Sequence, residues 1–401
     1  MQTISRRTFE HPVHTQQNHS SGTSALRGGL RCSTLRCPGW FRILVRMTIE
    51  RSQVQNILII QPRGIGDIIL TTVVIKNLLA DFPDAAIDYV IQEPLHRAFM
   101  KQPFIREVLT YRRTKPLTLL RLAREVRKRR YDLVIDFFSN SRTAFITFMS
   151  GARYRAGRPH LGRRYAYNRP VPVRDTAGTA HQALRNLAVL GHLGISHDAT
   201  DLLFGVGDDD RAFVGRFWAE TFADGDFVAG LLPCGSWPSK KCDPEKFAEI
   251  ADALIDELGA RILIIWGPDE LDESRRIRSL MNRDAVFAPA TSVSEMTALV
   301  ERCAMVIAND SGPMHIATAV GTPVLALHGP TNPARQGPFG PRHEGIRLEE
   351  LPCIGCHFTV CPRNHECFRE IPVERVLAAA YRIIEKNRLA APGIIRGEDT
   401  H

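Results

Sequence analysis

Nothing in this chain approaches the ~20 uninterrupted apolar residues that a bilayer-spanning helix needs, so no segment reads as a membrane span. The dinucleotide fingerprint GxGxxG is absent. No helix-turn-helix or RNA-binding signature appears, which argues against nucleic acid despite a net charge of +9 and a pI near 9.2. Acidic residues are scarce in two places. Residues 1–46 are rich in Ser, Thr, Arg and His, nearly free of acids and without periodicity. They read as a disordered extension or an over-long start, with Met47 opening the folded chain. The run GWFRILVRM within them is too short and too basic for a secretory core. Between Arg97 and Arg174, about twenty Lys/Arg stand against four Asp/Glu, enough to carry the whole positive excess. Such one-sidedness suits an anionic ligand or an anionic membrane surface. The mature protein reads as cytoplasmic, its nine cysteines as reduced thiols or metal ligands rather than disulfides.

What is present is organised around Cys303–Pro333. An apolar run, Met305–Ala308, has the length and composition of a buried strand. In Asn309-Asp310-Ser311-Gly312-Pro313, Asp310 or Ser311 suits a helix N-cap, Gly312 admits a ligand to the backbone and Pro313 fits the first turn. His315 lies on that turn. A second apolar run, Pro323–Leu327, ends at His328-Gly329-Pro330-Thr331. Such a unit aims free N–H groups and a helix dipole at one point, where a diphosphate can sit; a well-capped helix between core strands is the plainer alternative.

Two domains fit the 401 residues, 44% hydrophobic and 24% charged. From Asn56 onward, short apolar runs alternate with amphipathic segments, predicting a doubly wound, mostly parallel α/β sheet. The first strand, Asn56–Gln61, turns through Pro62-Arg63-Gly64-Ile65-Gly66-Asp67 into a helix predicted over Ile68–Leu79. Asp67 falls at an N-cap or first-turn position, where the dipole keeps a carboxylate ionised as a general base requires; capping alone would explain it equally. Ser139–Met149 and His181–Leu193 read as helices, the basic stretch Arg153–Arg174 as loop. The acidic segment Gly205–Asp210 reads as a domain boundary, giving 47–205 and 206–390, with 391–401 a tail. The βα pattern restarts at Phe227–Leu232, followed by Ser236-Trp237-Pro238-Ser239-Lys240. Lys240 suits a phosphate contact and Asp269, after Arg261–Trp266, a ribose hydroxyl; a surface lysine and an N-cap are the ordinary alternatives.

Taken together, RGIGD, WPSK, NDSGPMHIA and HGPTNP resemble, in order and over residues 54–390, the ADP-heptose:lipopolysaccharide heptosyltransferases of glycosyltransferase family 9. The resemblance implies a GT-B architecture, with two Rossmann-like domains facing across a cleft, acceptor on the first and nucleotide sugar on the second. It implies inverting transfer of heptose from ADP-heptose to the lipopolysaccharide inner core, onto Kdo-lipid A or heptosyl-Kdo-lipid A. By position, Asp67 matches the proposed base; Ser236 and Lys240 match donor-phosphate contacts, and Asp269 falls near the adenosine contact. Asp310, Ser311, Gly312 and His315 match the loop around diphosphate and sugar, with Thr331 beside them. Where members often continue with Arg-Trp-Pro, this chain has Lys241-Cys242-Asp243. Arg63 and Arg142 are candidate acceptor contacts, and attachment to the anionic inner face of the inner membrane would be peripheral. No cofactor is required, since no DxD-type motif sits at a suitable strand end.

Four cysteines, Cys353, Cys356, Cys361 and Cys367, have spacing compatible with a small structural zinc site, or with reduced thiols packing a loop. A related loop occurs in heptosyltransferase II-like members of the family. Two other readings stay open: a GT-B enzyme using another nucleotide sugar on a glycolipid, and a non-catalytic polyanion-binding protein.

Overall fold

The computed structural model describes residues 49–172 and 180–393. The expected extension at 1–46 and all but 391–393 of the tail lie outside the described residues.

Two six-stranded parallel sheets carry the fold. In the first, β1 (Asn56–Ile60), β2 (Ala86–Val90), β3 (Glu107–Leu109), β4 (Leu133–Asp136), β5 (Tyr154–Gly157) and β6 (Arg169–Pro170) lie in the order 3-2-1-4-5-6. In the second, β7 (Val228–Leu232), β8 (Arg261–Ile264), β9 (Val286–Phe287), β10 (Met305–Asn309), β11 (Val324–Leu327) and β12 (Glu344–Ile346) repeat that topology, 12-11-10-7-8-9. The central strands are buried on both faces, which explains why they read as continuous apolar runs rather than alternating ones. Each sheet reverses its winding once, between β1 and β4 and between β7 and β10. Ligands of open α/β sheets bind outside the carboxyl ends of strands at such switch points.

Six helices hold the loops and side chains at those strand ends: α1 (Ile65–Thr71), α2 (Pro116–Lys128), α3 (Ser141–Ser150), α4 (Gln182–His192), α5 (Pro244–Leu258) and α6 (Gly312–Ala319). The lobes touch where α1 packs on α6. One apolar core runs through this contact, from Ile57 and Ile68 of the first lobe to Val306 and Met314 of the second.

The helix expected over Ile68–Leu79 is broken. After α1 comes a 3₁₀ turn, Thr72–Val74, and then a second helix, Ile75–Asp81. The hydroxyls of Thr71 and Thr72 donate to the carbonyls of Ile68 and Ile69 at 2.6 and 2.7 Å, the local competition that interrupts helices. Arg153–Arg174, expected to be loop, contains β5. Tyr154 and Ala156 point into the core, while Arg155 donates to the carbonyls of Ala166 and Ala152 at 2.9 and 2.6 Å. The acidic segment 205–210 opens a helix, Asp208–Thr221, because its three aspartates complement the helix N-terminus.

Candidate active site

The loops after β1, β7, β8 and β10 line one cavity of about 1040 Å³ between the lobes. Asp67, Ser236, Lys240, Asp269, Asp310, Ser311, Gly312, His315 and Thr331 all border it; Arg63 and Arg142 do not.

Asp67 enters from the first lobe, in the first turn of α1. Gly64 makes this possible: its φ is +77°, and a Cβ there would lie 2.5 Å from Asp67 Oδ2. The carboxylate reaches solvent within the cleft, yet the walls desolvate it. Burial raises its pKa above the ordinary value, Lys240 opposes the rise, Asp310 adds to it and Arg63 opposes it. A carboxylate with a raised pKa in a partly desolvated cleft accepts a proton more readily than a surface aspartate. It faces charges supplied by the other lobe.

Those charges form a compact buried group. Lys240 Nζ lies 2.7 Å from Asp310 Oδ2 and 5.1 Å from the Trp237 ring centroid. Thr331 Oγ1 donates to the same Oδ2 at 2.5 Å. Burial works to raise the Asp310 pKa, but the cation of Lys240 and the hydrogen bonds from Lys240 and Thr331 outweigh it and hold the carboxyl below its ordinary value. His315 and His328 are each pushed down to about 4 by burial, so both imidazoles are neutral near pH 7. Asp310 therefore binds Lys240 rather than capping α6. Ser311 is the N-cap, and its side chain makes no capping bond. Ser311 Oγ and His315 Nδ1 are buried without a hydrogen-bond partner. Unpaired buried polar atoms are rare. Together with the unsatisfied N–H groups at the start of α6 they make a cradle for an anion.

The lobe contact next to this cradle is tight. A Cβ on Gly66 would lie 2.4 Å from His315 Cδ2, and one on Gly312 would lie 3.1 Å from Ile65 Cβ. Gly66→Ala should therefore shift the lobes against each other, and a misplacement of ~1 Å costs on the order of 10²-fold in rate. Turnover by the folded variant, with its melting temperature as control, checks this; an unchanged rate would show that the contact does not set the geometry.

Arg63 sits outside the cavity, its guanidinium 5.3 Å from the centroid of Phe138. The turn carrying Phe138 is fixed by Asp136, which the sequence pattern places inside a strand with no role of its own. Its carboxylate accepts from Phe138 N (3.1 Å), Ser139 N (2.7 Å), Tyr167 OH (2.8 Å) and Thr147 Oγ1 (3.4 Å). Burial raises its pKa to about 6 against the pull of these donors. Arg142 lies on the first turn of α3, exposed. Sequence reasoning also missed Arg185, Trp237, Trp266, Glu270, Met296 and Arg335 on the cavity wall. Glu270 accepts from Gly235 N at 2.9 Å and so ties the loop after β8 to the loop after β7. Only its place after a strand end could have marked it.

The four cysteines expected as zinc ligands are not arranged as a metal centre among the described residues. Cys353, Cys356, Cys361 and Cys367 are half-buried free thiols. Burial first, then the neighbouring thiols Cys361, Cys353 and Cys356, push the Cys367 thiol up to about 12. Among the described residues no group of three or more His, Cys, Asp or Glu is placed to hold a metal ion. The loop instead braces the cradle: Ser239, beside Lys240, donates its N–H to the Thr359 carbonyl at 3.2 Å and its hydroxyl to that of Phe358.

Residues 119–365 match the family model of glycosyltransferase family 9 (heptosyltransferase). The chain belongs to this family. It is a glycosyltransferase. It is 26% identical over 353 residues to lipopolysaccharide heptosyltransferase 3 of Escherichia coli K12, covering 81% of this chain and 97% of that protein. A glycosyl transferase family 9 structure from Veillonella parvula superposes with a TM-score of 0.72 at 25% identity, covering 83% of this chain and 97% of the other. The structure of E. coli ADP-heptose LPS heptosyltransferase II gives 0.68 at 21% identity, covering 83% and 100%. This family 9 glycosyltransferase thus has the expected GT-B fold, two Rossmann-like lobes across a cleft. No helix among its described residues is long and apolar enough to cross a membrane.

Proposed function

We propose that this chain transfers heptose, with inversion, from ADP-heptose to the inner core of lipopolysaccharide, working peripherally at the cytoplasmic face of the inner membrane. On this reading residues 47–205 hold the acceptor and 206–390 the nucleotide sugar. The observation that carries it is the placement of Asp67 across one cavity from Lys240, the unpaired side chains of Ser311 and His315, and the helix start at Gly312. Asp67 takes the proton from the acceptor hydroxyl, whose oxygen attacks the anomeric carbon from the face opposite the diphosphate. As the bond to the diphosphate breaks, charge develops on its oxygens. The N–H groups opening α6 are aimed there, and Lys240 stands beside them on Asp310. Neutral His315 and Ser236 contribute hydrogen bonds rather than charge, and Asp269 and Trp266 lie on the wall where a nucleoside would rest. Lys240 turns from Asp310 towards the phosphates when the donor arrives, while Thr331 keeps Asp310 hydrogen-bonded. Arg63 and Arg142, outside the cavity on the acceptor side, suit Kdo carboxylates or lipid A phosphates.

Incubation with ADP-heptose and either Kdo-lipid A or heptosyl-Kdo-lipid A is expected to give a product one heptose heavier. Calorimetric titration is expected to show ADP binding at least about tenfold tighter than UDP, the discrimination that ~1.4 kcal/mol of base contacts supplies. Turnover with UDP-sugars alone would overturn the donor assignment, and polyanion binding without turnover would overturn the reaction.

A further inference from the structure

Large apolar side chains are exposed on one face of the first lobe. Leu117 and Leu120 stand 66% and 45% exposed on α2, Phe148 48% exposed on α3, and Leu161 fully exposed in the loop after β5. These elements are neighbours. α2 packs beside α3, and α3 packs against the turn at Arg164–Ala166, where Tyr165 meets Phe148 edge-on with ring centroids 5.3 Å apart. The inner sides of both helices are spent on the sheet, through Leu122, Val126 and Ile146. The outward sides have no partner in the fold.

The unpaired charge on this face is positive: Glu93 and Glu107, brought in from other elements, are held by Arg112 and Arg129. Between residues 111 and 170 the acids are Glu125, Asp132 and Asp136. Glu125 pairs with Arg129, Asp132 accepts the backbone N–H groups of Gln55 and Asn56, and Asp136 is buried among its donors. Among the described residues, Arg113, Lys115, Arg121, Arg124, Arg142 and Arg164 have no carboxylate partner and are exposed. Apolar side chains set among unopposed arginines fit a surface that is apolar within and anionic at its edge. A second copy of the chain fits poorly, because a two-fold contact would set these arginines against themselves. The face also begins beside the active site: α2 and α3 both start at the carboxyl ends of their preceding strands, the edge that opens on the cleft.

We propose that the outer face of α2, α3 and the 161–165 loop is a docking surface for an anionic phospholipid bilayer, with Leu117, Leu120, Phe148 and Leu161 entering the interface and Arg121 and Arg124 meeting lipid phosphates. This deepens the reading of a lipid-linked acceptor and rests on it only for its purpose, since lipid binding is measured without any acceptor. The full chain is sedimented with phosphatidylglycerol–phosphatidylcholine vesicles and with phosphatidylcholine vesicles. Binding is expected only to the first. Leu117→Ser with Phe148→Ser, and separately Arg121→Gln with Arg124→Gln, should each lower the partition coefficient about tenfold. Leu280→Ser, at an exposed leucine of the second lobe, should leave it unchanged. All variants should melt with the wild type and turn over a delipidated acceptor at the wild-type rate. Equal binding by the patch variants and wild type would overturn the proposal, as would equal binding to both vesicles. So would a lipid-free dimer that Phe148→Ser dissolves, which would assign the face to a second copy. If lipid binding behaves as stated while no sugar is transferred, the reaction fails and the docking surface stands.

Discussion

Replacing Asp67 with asparagine is expected to lower kcat by about 10²–10⁴-fold, the range of a positioned general base, while ADP binding stays within about twofold and the melting temperature does not fall. The asymmetry arises from where the group stands. Its pKa is raised by burial, so it is a charge held in a partly dry cleft. Asparagine keeps the shape, removes the charge and cannot take a proton. A loss confined to kcat, measured with saturating donor and acceptor, would mark a group acting on the reacting atoms. A loss shared equally with ADP affinity would place Asp67 in donor binding instead.

The second large effect is expected at Lys240. Lys240→Ala removes both the cation proposed to face the diphosphate and the partner of Asp310, whose side chain is 5% exposed. Removing one member of a buried ion pair costs about 3–5 kcal/mol, because the other charge is left uncompensated. Losing one preorganised electrostatic contact to the leaving group costs a further ~10²–10³-fold in rate. The two losses separate in a double variant. Lys240→Ala with Asp310→Asn should recover much of the melting temperature, since no charge is stranded, and none of the rate. The pH dependence has a definite sign. The Asp310 pKa is lowered in the fold, so its stabilising pairing is present above the unfolded value near 4 and is lost as pH falls through the folded value. The stability difference between wild type and Lys240→Ala should therefore shrink in acid. A gap of constant size would mean that the pair contributes nothing.

Much of the fold was legible because parallel strands buried on both faces announce themselves as short apolar runs. The two decisive turns were legible for a different reason. Gly64 and Gly66 stand where α1 must meet the Asp67 carboxylate and the His315 ring closely, and Ser311-Gly312-Pro313 opens a helix towards the cleft. What was hidden depended on side chains answering backbone. The threonines at 71 and 72 break a helix that apolar periodicity alone would continue. Arg155 disappears into two carbonyls, so β5 looks like part of a basic loop. Asp310 looks like a cap until Lys240, far earlier in the sequence, is brought to it. Arg185 and Met296 reach the cavity from helices with no motif, visible only once the lobes are assembled.

The most direct test is the pH dependence of kcat in wild type and Lys240→Met, both at saturating substrate. If Asp67 is the base and faces Lys240 across the cleft, the wild-type rate falls in acid with an apparent pKa above the ordinary aspartate value. Removing the cation that holds this pKa down then moves the acidic limb to higher pH. A limb that stays in place, or one that survives in Asp67→Asn, would contradict it.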